Sequence, residues 1–426
     1  MKKKLLVRGP ALSRSGYGEQ TRFALRSLRA HEDCFDIYLA VTGWGKTGWV
    51  WEVTEEREWI DSILKKTIIH QQQGGQFDIS LQVTIPNEWE KLAPINIGYT
   101  AGIETNKVAP QWIEKSFLMD HIIVISNHAK NVFESTSYEA QDQNTGQMIK
   151  DFKCQTPITV VNYPVRNLEV DKKLELNLDY DFNFLISSQW GPRKNVDNTI
   201  RWFVEEFFDQ KVGLVAKLNW HNDSINDKHF VTKRIKGILS QYSDRKCKVY
   251  LLHGNMSTED MAALYTHPKI KAYASLTHGE GYGLPMFEAA YNGLPVIAPD
   301  WSGHCDFLHM PAENKKTKKT KNKTMFAKVN YTMGQVPEEA VWDGVLQADS
   351  MWCYPEQGSY KMRLREVKRD HGRFKKQAKQ LQEWILENFE EQRMYKKFVE
   401  NIKPFCGSVD EEDIDEMFEK LLSDGS

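Results

Sequence analysis

Residues 277–303 read THGEGYGLPMFEAAYNGLPVIAPDWSG, and the class of fold turns on this stretch. An apolar run from Ile270 to Leu276 leads into it as a buried strand. A glycine-broken loop follows, then a short helix, a turn at Asn292-Gly293 and a second strand from Pro295 to Ala298. Pro285 stands where a first-turn proline belongs, since the N–H it lacks would be unpaired there in any case. The free N–H groups around Gly281 to Met286 then form a helix N-terminus, which attracts anions. Glu280 lies on the loop and Glu288 inside the helix. A phosphate cradle flanked by two hydroxyl-accepting carboxylates suits a molecule with phosphates in the middle and a sugar at each end. A nucleotide-sugar is such a molecule. A plain strand–loop–helix, with Glu288 only favouring the helix dipole, has no use for Glu280, three glycines and Pro285 together.

The same strand–loop–helix grammar opens each half of the chain. Lys4 to Arg8 is a strand candidate, followed by the loop GPALSRSGYG and a helical period through Phe23, Ala24, Leu25 and Leu28. Phe182 to Ser187 is another, followed by SQWGPRKN and a helix through Val196, Ile200 and Phe203. Further strands are expected at Phe35 to Val41, Ile95 to Tyr99, Ile122 to Ile125, Val212 to Leu218 and Val249 to Leu252. Strands alternating with helices predict an α/β protein with parallel sheets. Ile158 to Val165 and the charged run after it read as the passage between domains. Phe374 to Phe389 and Glu391 to Ile402 are long helical patterns.

With 426 residues the chain exceeds a single core and should form two domains. Its 56 basic and 58 acidic residues nearly cancel, so no global field marks it for nucleic acid or membrane. MKKKLLVRG has only three apolar residues before Arg8, too few for a signal peptide, and no run reaches the length of a membrane span. Six cysteines (34, 154, 247, 305, 353 and 406) are scattered without metal-ligand spacing. Reduced thiols in a cytoplasmic protein are the expectation. The stretch Asn314 to Lys323 carries six lysines in ten residues and should be an exposed loop.

Residues 277–303 resemble the E-x7-E signature of retaining glycosyltransferases with the GT-B fold, the group 1 or family 4 class. The two glutamates, GYGLP, EAAYNGLPV and the trailing Ser-Gly carry the likeness. It implies two Rossmann-like domains with parallel sheets facing across a cleft. The first covers residues 1–168 and is completed by terminal helices at about 388–426; the second covers 169–387. It also implies that Glu280 contacts the transferred sugar, Glu288 holds the ribose, and Gly281, Tyr282, Gly283 and Leu284 frame the donor. Arg193 and Lys194, in GPRKN, neutralise the leaving diphosphate, a task that suits a guanidinium fork beside an ammonium charge. Relatives often carry a further arginine where this chain has Ser187-Ser188-Gln189.

The first loop, with Gly16 and Gly18, covers the diphosphate from the opposite side in this likeness, glycine letting backbone approach a ligand. Arg14 reads as a surface arginine there. The segment from Ile97 to Phe133 is similar to the part of the family that faces the acceptor. Glu104 is the candidate for orienting the acceptor hydroxyl. A histidine that many relatives place near its start is replaced by Thr100-Ala101-Gly102. His128 is expected to cap or pack, His278 to approach the donor, and His304 to be a hydrogen-bonded turn residue. Met256 to Leu264 should frame the base.

The implied reaction moves a sugar from a nucleotide diphosphate to an acceptor hydroxyl with retention, without a metal or other cofactor. The acceptor is left open among glycan, small molecule and modified DNA. One rival reading keeps the chemistry but uses a hydroxymethylated DNA base, with lysines 315–323 and Trp44, Trp49 and Trp51 on nucleic acid. Others are a nucleotide-sugar epimerase or phosphorylase, or an idle binding module on the same fold.

Overall fold

The computed structural model describes residues 2–141, 146–166, 174–313 and 320–406. The first half contains β1 (Lys3–Gly9), β2 (Phe35–Val41), β3 (Ile79–Val83), β4 (Ile95–Thr100) and β5 (His121–Val124). An antiparallel hairpin, β6 (Ser137–Gln141) and β7 (Met148–Lys153), precedes β8 (Ile158–Val160). Helices α1 (Gly16–Arg29), α2 (Glu55–Gln72), α3 (Pro110–Ser116) and α4 (Asn127–Ser135) alternate with these strands. The sheet runs β2-β1-β3-β4-β5-β8, all parallel.

The second half repeats the plan with β9 (Asn183–Gln189), β10 (Gly213–Asn219), β11 (Lys248–Leu252), β12 (Ile270–Ala274) and β13 (Val296–Pro299). Two hairpin strands, β14 (His309–Glu313) and β15 (Thr320–Thr324), come before β16 (Ala327–Val329). A second hairpin, β17 (Tyr331–Gln335) and β18 (Met351–Pro355), follows. Its helices are α5 (Val196–Glu206), α6 (Ile225–Leu239), α7 (Thr258–Tyr265), α8 (Leu284–Tyr291), α9 (Cys305–Leu308) and α10 (Gln357–Arg369). The parallel order is β11-β10-β9-β12-β13-β16.

Both orders are doubly wound, reversing direction between β1 and β3 in one sheet and between β9 and β12 in the other. In open α/β sheets ligands bind at the carboxyl ends of strands on either side of such a reversal. The glycine loop follows β1, the Arg193-Lys194 loop follows β9, and the Glu280 loop follows β12. The topology alone therefore gathers three of the segments singled out in the sequence.

The expected strands form within a residue or two of their predicted limits, and β3 is an addition. Its sequence, ISLQV, places Ser80 and Gln82 at fully buried positions. They are tolerated because Ser80 donates to Asn96 Oδ1 at 2.8 Å and Gln82 donates to the Glu90 carbonyl at 2.6 Å. The three hairpins are likewise additions.

Helix α11 (His371–Asn388) ends at Phe389, and α12 (Glu391–Glu400) restarts with the Glu390 carboxylate accepting the N–H groups of Gln392 and Arg393. Helix α12 lies against α1 of the first half. Phe398 is fully buried, 5.3 Å from the Phe23 ring and 5.0 Å from Tyr99. The expected boundary at 168/169 and the tail beyond Cys406 lie outside the described residues. Phe398→Ala should cost about 3–5 kcal/mol, read as a large fall in thermal midpoint. Substitution of exposed Lys396 should leave that midpoint nearly unchanged.

Candidate functional site

The glycines of the signature loop are dictated by backbone that comes too close for a side chain. A Cβ on Gly279 would overlap the Glu104 carbonyl, and one on Gly281 would lie 2.6 Å from the Ala101 carbonyl oxygen. The loop after β12 is thus pressed onto the segment that follows β4 in the first half. Gly283, at φ +92°, turns the chain into α8, with Pro285 in the first helical turn. The N–H groups of Gly281, Tyr282 and Gly283 find no acceptor among the described residues and remain free for an anion.

That close approach assembles four charges. Arg193 donates to Glu280 Oε2 at 3.0 Å and to the Gly279 carbonyl at 2.7 Å, and its other terminal nitrogen lies 3.2 Å from Glu104. Lys194 donates to Glu280 Oε1 at 2.6 Å. Burial alone would raise the Glu280 carboxyl, but Lys194 and Arg193 overcome it and hold the group at about 2. Burial pulls the Arg193 guanidinium down, while Glu104 and then Glu280 more than compensate. Lys194 moves below its ordinary value, through burial and then the charge of Arg193, with Glu280 opposing. Asn195, in the left-handed conformation at φ 51°, ends the Pro-Arg-Lys turn and starts α5. A small cavity lined by Ser187, Ser188, Lys194, Thr199, Tyr273 and Glu280 opens beside the cluster.

Glu288 sits apart from those four groups, under different forces. Tyr265 donates to its Oε2 at 2.9 Å, and no cation pairs with it among the described residues. Burial, opposed by the Tyr265 hydrogen bond and assisted by the charge of Glu19, pushes its carboxyl up to about 7. Glu19, on α1, is itself held low: Arg26, Arg22 and Arg166 outweigh its burial. Two carboxylates eight residues apart thus differ widely in acidity.

The other residues singled out in the sequence take the following places. Tyr282 turns its ring into the core, 5.0 Å from Phe307 and 5.2 Å from Tyr163, so only its backbone faces the loop. Gly16 and Gly18 lie in the first turn of α1 rather than in the loop expected; a Cβ on Gly18 would overlap the Ser13 carbonyl, whereas the same position on Gly16 is open. Leu284 is the half-buried first residue of α8. His278 stacks on Trp352 at 4.9 Å, and its Nδ1 donates to the Cys353 carbonyl at 2.7 Å. Burial keeps this histidine neutral, so Nε2 is left as an acceptor. Ser126, not His128, caps α4. His128 packs edge-on against Trp301 and is lowered to about 4 by burial, then by His304. His304 donates to the Pro299 carbonyl at 2.7 Å. Arg14 is ion-paired with Glu52.

The structure also gives contacts to residues for which the sequence offered no role. Ser302 accepts the Glu280 N–H at 2.9 Å while Gly303 donates to the Glu280 carbonyl at 2.9 Å. Ser302 does this at φ 84°, a conformation unfavourable for a residue with a side chain and common at functional positions. Asp306 accepts hydrogen bonds from Asn127 and Asn162 across the two halves. Hairpin β17–β18 reaches the segment that follows β4: the Asn106 N–H donates to the Met351 carbonyl at 2.9 Å, and Lys107 pairs with Asp349. Asp227 accepts from His253 at 2.7 Å and from the N–H groups of Trp220, His221 and Asn222. These bonds fix the loops beside Met256 to Leu264. Among the described residues Asp300, Cys305 and His309 place ligand atoms within 4.8 Å of one another. His309 and Lys328 already satisfy that aspartate at 2.6 and 3.2 Å.

Two doubly wound sheets, meeting at their reversal points over a carboxylate–cation cluster, define the GT-B fold. Solved glycosyltransferase structures match it over nearly the whole chain. The sucrose-phosphate synthase of Thermosynechococcus elongatus aligns with a TM-score of 0.59 at 12% identity, covering 96% of this chain and 100% of that one. A glycosyltransferase from Rickettsia africae gives 0.57 at 12%, with the same coverage. HepE of Anabaena, in complex with UDP-glucose, gives 0.57 at 11%, covering 94% of this chain and 100% of that one. By sequence, 121 residues are 33% identical to the serotype-specific mannosyltransferase WbdA of Escherichia coli, 28% of this chain. The matched segment spans 13% of that protein's length. No protein-family model matches the chain. No helix among the described residues is long and apolar enough to cross a membrane.

Glu288→Gln tests the raised carboxyl. The unfolded chain releases this proton near 4.5 and the folded chain near 7. The burial cost is therefore absent below the lower value, grows between the two, and is constant above the higher. The variant should melt with the wild type at about pH 4 and above it at about pH 8. Its affinity for a nucleoside diphosphate should fall at both.

Proposed function

We propose that this chain is a retaining, metal-independent glycosyltransferase of the group 1 or family 4 type, using a nucleoside diphosphate sugar. The observation that carries the reading is the Arg193–Lys194–Glu280–Glu104 cluster beside three free N–H groups, at the switch point of a GT-B fold. The sequence likeness to a mannosyltransferase and the fold likeness to a structure holding UDP-glucose support the donor class.

Glu280 grips hydroxyls of the transferred sugar and Glu288 the ribose. Arg193, Lys194 and the loop N–H groups receive the diphosphate, stabilising the charge that develops as it leaves. The acceptor oxygen bonds to the anomeric carbon on the face from which the phosphate oxygen departs, and that oxygen takes the acceptor's proton. This differs from retaining glycosidases, where a carboxylate forms a covalent intermediate on the opposite face. The negative diphosphate competes with Glu104 for Arg193. Its arrival releases Glu104 to orient the acceptor hydroxyl. The six unbridged cysteines fit a reducing compartment.

Mass spectrometry of reactions pairing UDP- and GDP-sugars with glycan, small-molecule and hydroxymethylated-DNA acceptors tests the reading. Glu280→Gln should lower turnover about 100- to 1,000-fold, and chelators should leave turnover unchanged. A donor converted to its epimer without acceptor, or a wild type no more active than Glu280→Gln, overturns it. Glu104→Gln should bind free nucleoside diphosphate several-fold more tightly, because Arg193 loses one competitor, while transfer falls. Calorimetry and initial rates separate the two effects.

A further inference from the structure

The segment between β2 and α2, residues 42–53, contains three tryptophans that the donor site does not use. Trp44 has a structural task, packing 4.2 Å from the Tyr17 ring. Trp49 and Trp51 have none: they are 56% and 70% exposed. Large exposed rings are uncommon on a soluble surface and mark interaction sites.

The backbone carrying them is fixed. Arg14 N–H donates to the Gly48 carbonyl at 2.8 Å, Val50 N–H to the Leu12 carbonyl at 2.8 Å, and Arg14 Nε to the Trp49 carbonyl at 3.1 Å. Ser13 and Thr47 share a hydroxyl bond of 2.6 Å. The tryptophan segment is thereby riveted to the loop after β1, at the reversal point that faces the donor site. On its other side, a Cβ on Gly48 would lie 3.8 Å from Asn255 Nδ2 and 4.0 Å from Asp223 Oδ1 in the second half. The tryptophan segment therefore lies where the two halves meet. Trp49 forms an antiparallel bridge with Ser13, and Trp51 follows it by two residues, a span of at most about 7 Å.

The surrounding charge selects the ligand. From Thr42 to Glu58 there are two basic residues, Lys46 and Arg57, and four acidic ones, of which Glu52, Glu55 and Glu56 are paired with Arg14, Arg29 and Arg26, so the charges around the segment nearly balance. A rim of paired charges offers a phosphodiester chain no basic strip, whereas a neutral polyhydroxylated chain with apolar C–H faces can stack on indole rings. The described lysines of the basic stretch, Lys321 and Lys323, lie in β15, beyond β13. The tryptophan segment touches the loops after β10 and β11. Four strand positions, about 19 Å, separate β11 from β13, so rings and lysines do not form one strip.

We propose that Trp49 and Trp51 form a stacking ledge for a saccharide acceptor, a chain of at least two neutral sugar units. This rests on the glycosyltransferase reading and narrows its acceptor. The test titrates mannose and glucose tetrasaccharides, UDP, GDP and a twelve-residue deoxythymidine oligonucleotide into wild type and variants, read by calorimetry. Wild type should bind a tetrasaccharide. The Trp49→Ala/Trp51→Ala double variant should lose about tenfold or more of that affinity. The Trp49→Phe/Trp51→Phe variant should keep most of it, and neither should change nucleotide affinity. Unaltered melting of the exposed-site variants excludes a folding effect. Tetrasaccharide binding that is absent in the wild type or equal in the alanine variant overturns the ledge. So does a loss of nucleotide affinity, which assigns the rings to the base, or oligonucleotide binding that depends on them. A wild type that binds tetrasaccharide but neither nucleotide overturns the donor reading and leaves the ledge standing.

Discussion

Backbone packed on backbone, with no room for a Cβ, is the constraint from which the rest of the site follows. Gly279 and Gly281 meet the carbonyls of Glu104 and Ala101, and a Cβ on Gly303 would overlap the Gly281 carbonyl. Three loops, one from the first half and two from the second, are stacked at this point. Arg193 can reach Glu104 and Glu280 together because the loops carrying them are so close. Ser302 adopts a left-handed conformation because the turn before Gly303 must deliver both of its hydrogen bonds to Glu280. A methyl group at Gly279 or Gly281 would push the halves apart, and one at Gly303 would drive apart the two loops of the second half.

Within that frame the two signature glutamates are handled in opposite ways. Glu280 is surrounded by cations and is ionised at all ordinary pH values. Glu288 is half-buried, with the Tyr265 hydroxyl as its hydrogen-bond partner among the described residues, and resists ionisation. The first arrangement stabilises the chain without a ligand; the second is a stability cost that a ligand hydroxyl network can offset. A site that is satisfied at one end and unsatisfied at the other has a built-in polarity.

The plan of the fold was legible because alternating apolar runs and helix periods are strong signals, and because Pro285 and Asn195 have one good use each. The site was legible in its residue types but not in its contacts. The signature reads as donor grips, yet nothing in sequence says that Gly279 and Gly281 answer to Ala101 and Glu104, nearly 180 residues away in the chain. Strand β3 was hidden by Ser80 and Gln82, whose partners are non-local. Tyr282 looked like a ligand contact from its place among glycines, but its ring finds more apolar surface inward. Hairpin β17–β18 carries no motif at all, and its role at His278 emerges from the Trp352 stacking and the Cys353 hydrogen bonds. In each case the missing information is a tertiary partner rather than a local preference.

The path of the last described helix bears on how the protein is made. Helix α1 packs its Phe23 against Phe398 of α12, so one face of the first sheet's covering layer is finished by residues synthesised some 370 positions later. During translation the first half emerges with that aromatic face uncovered while the whole second half is still to come. Order of synthesis and order of completion are therefore reversed: the second sheet can close on local neighbours, and the first waits for the chain to return.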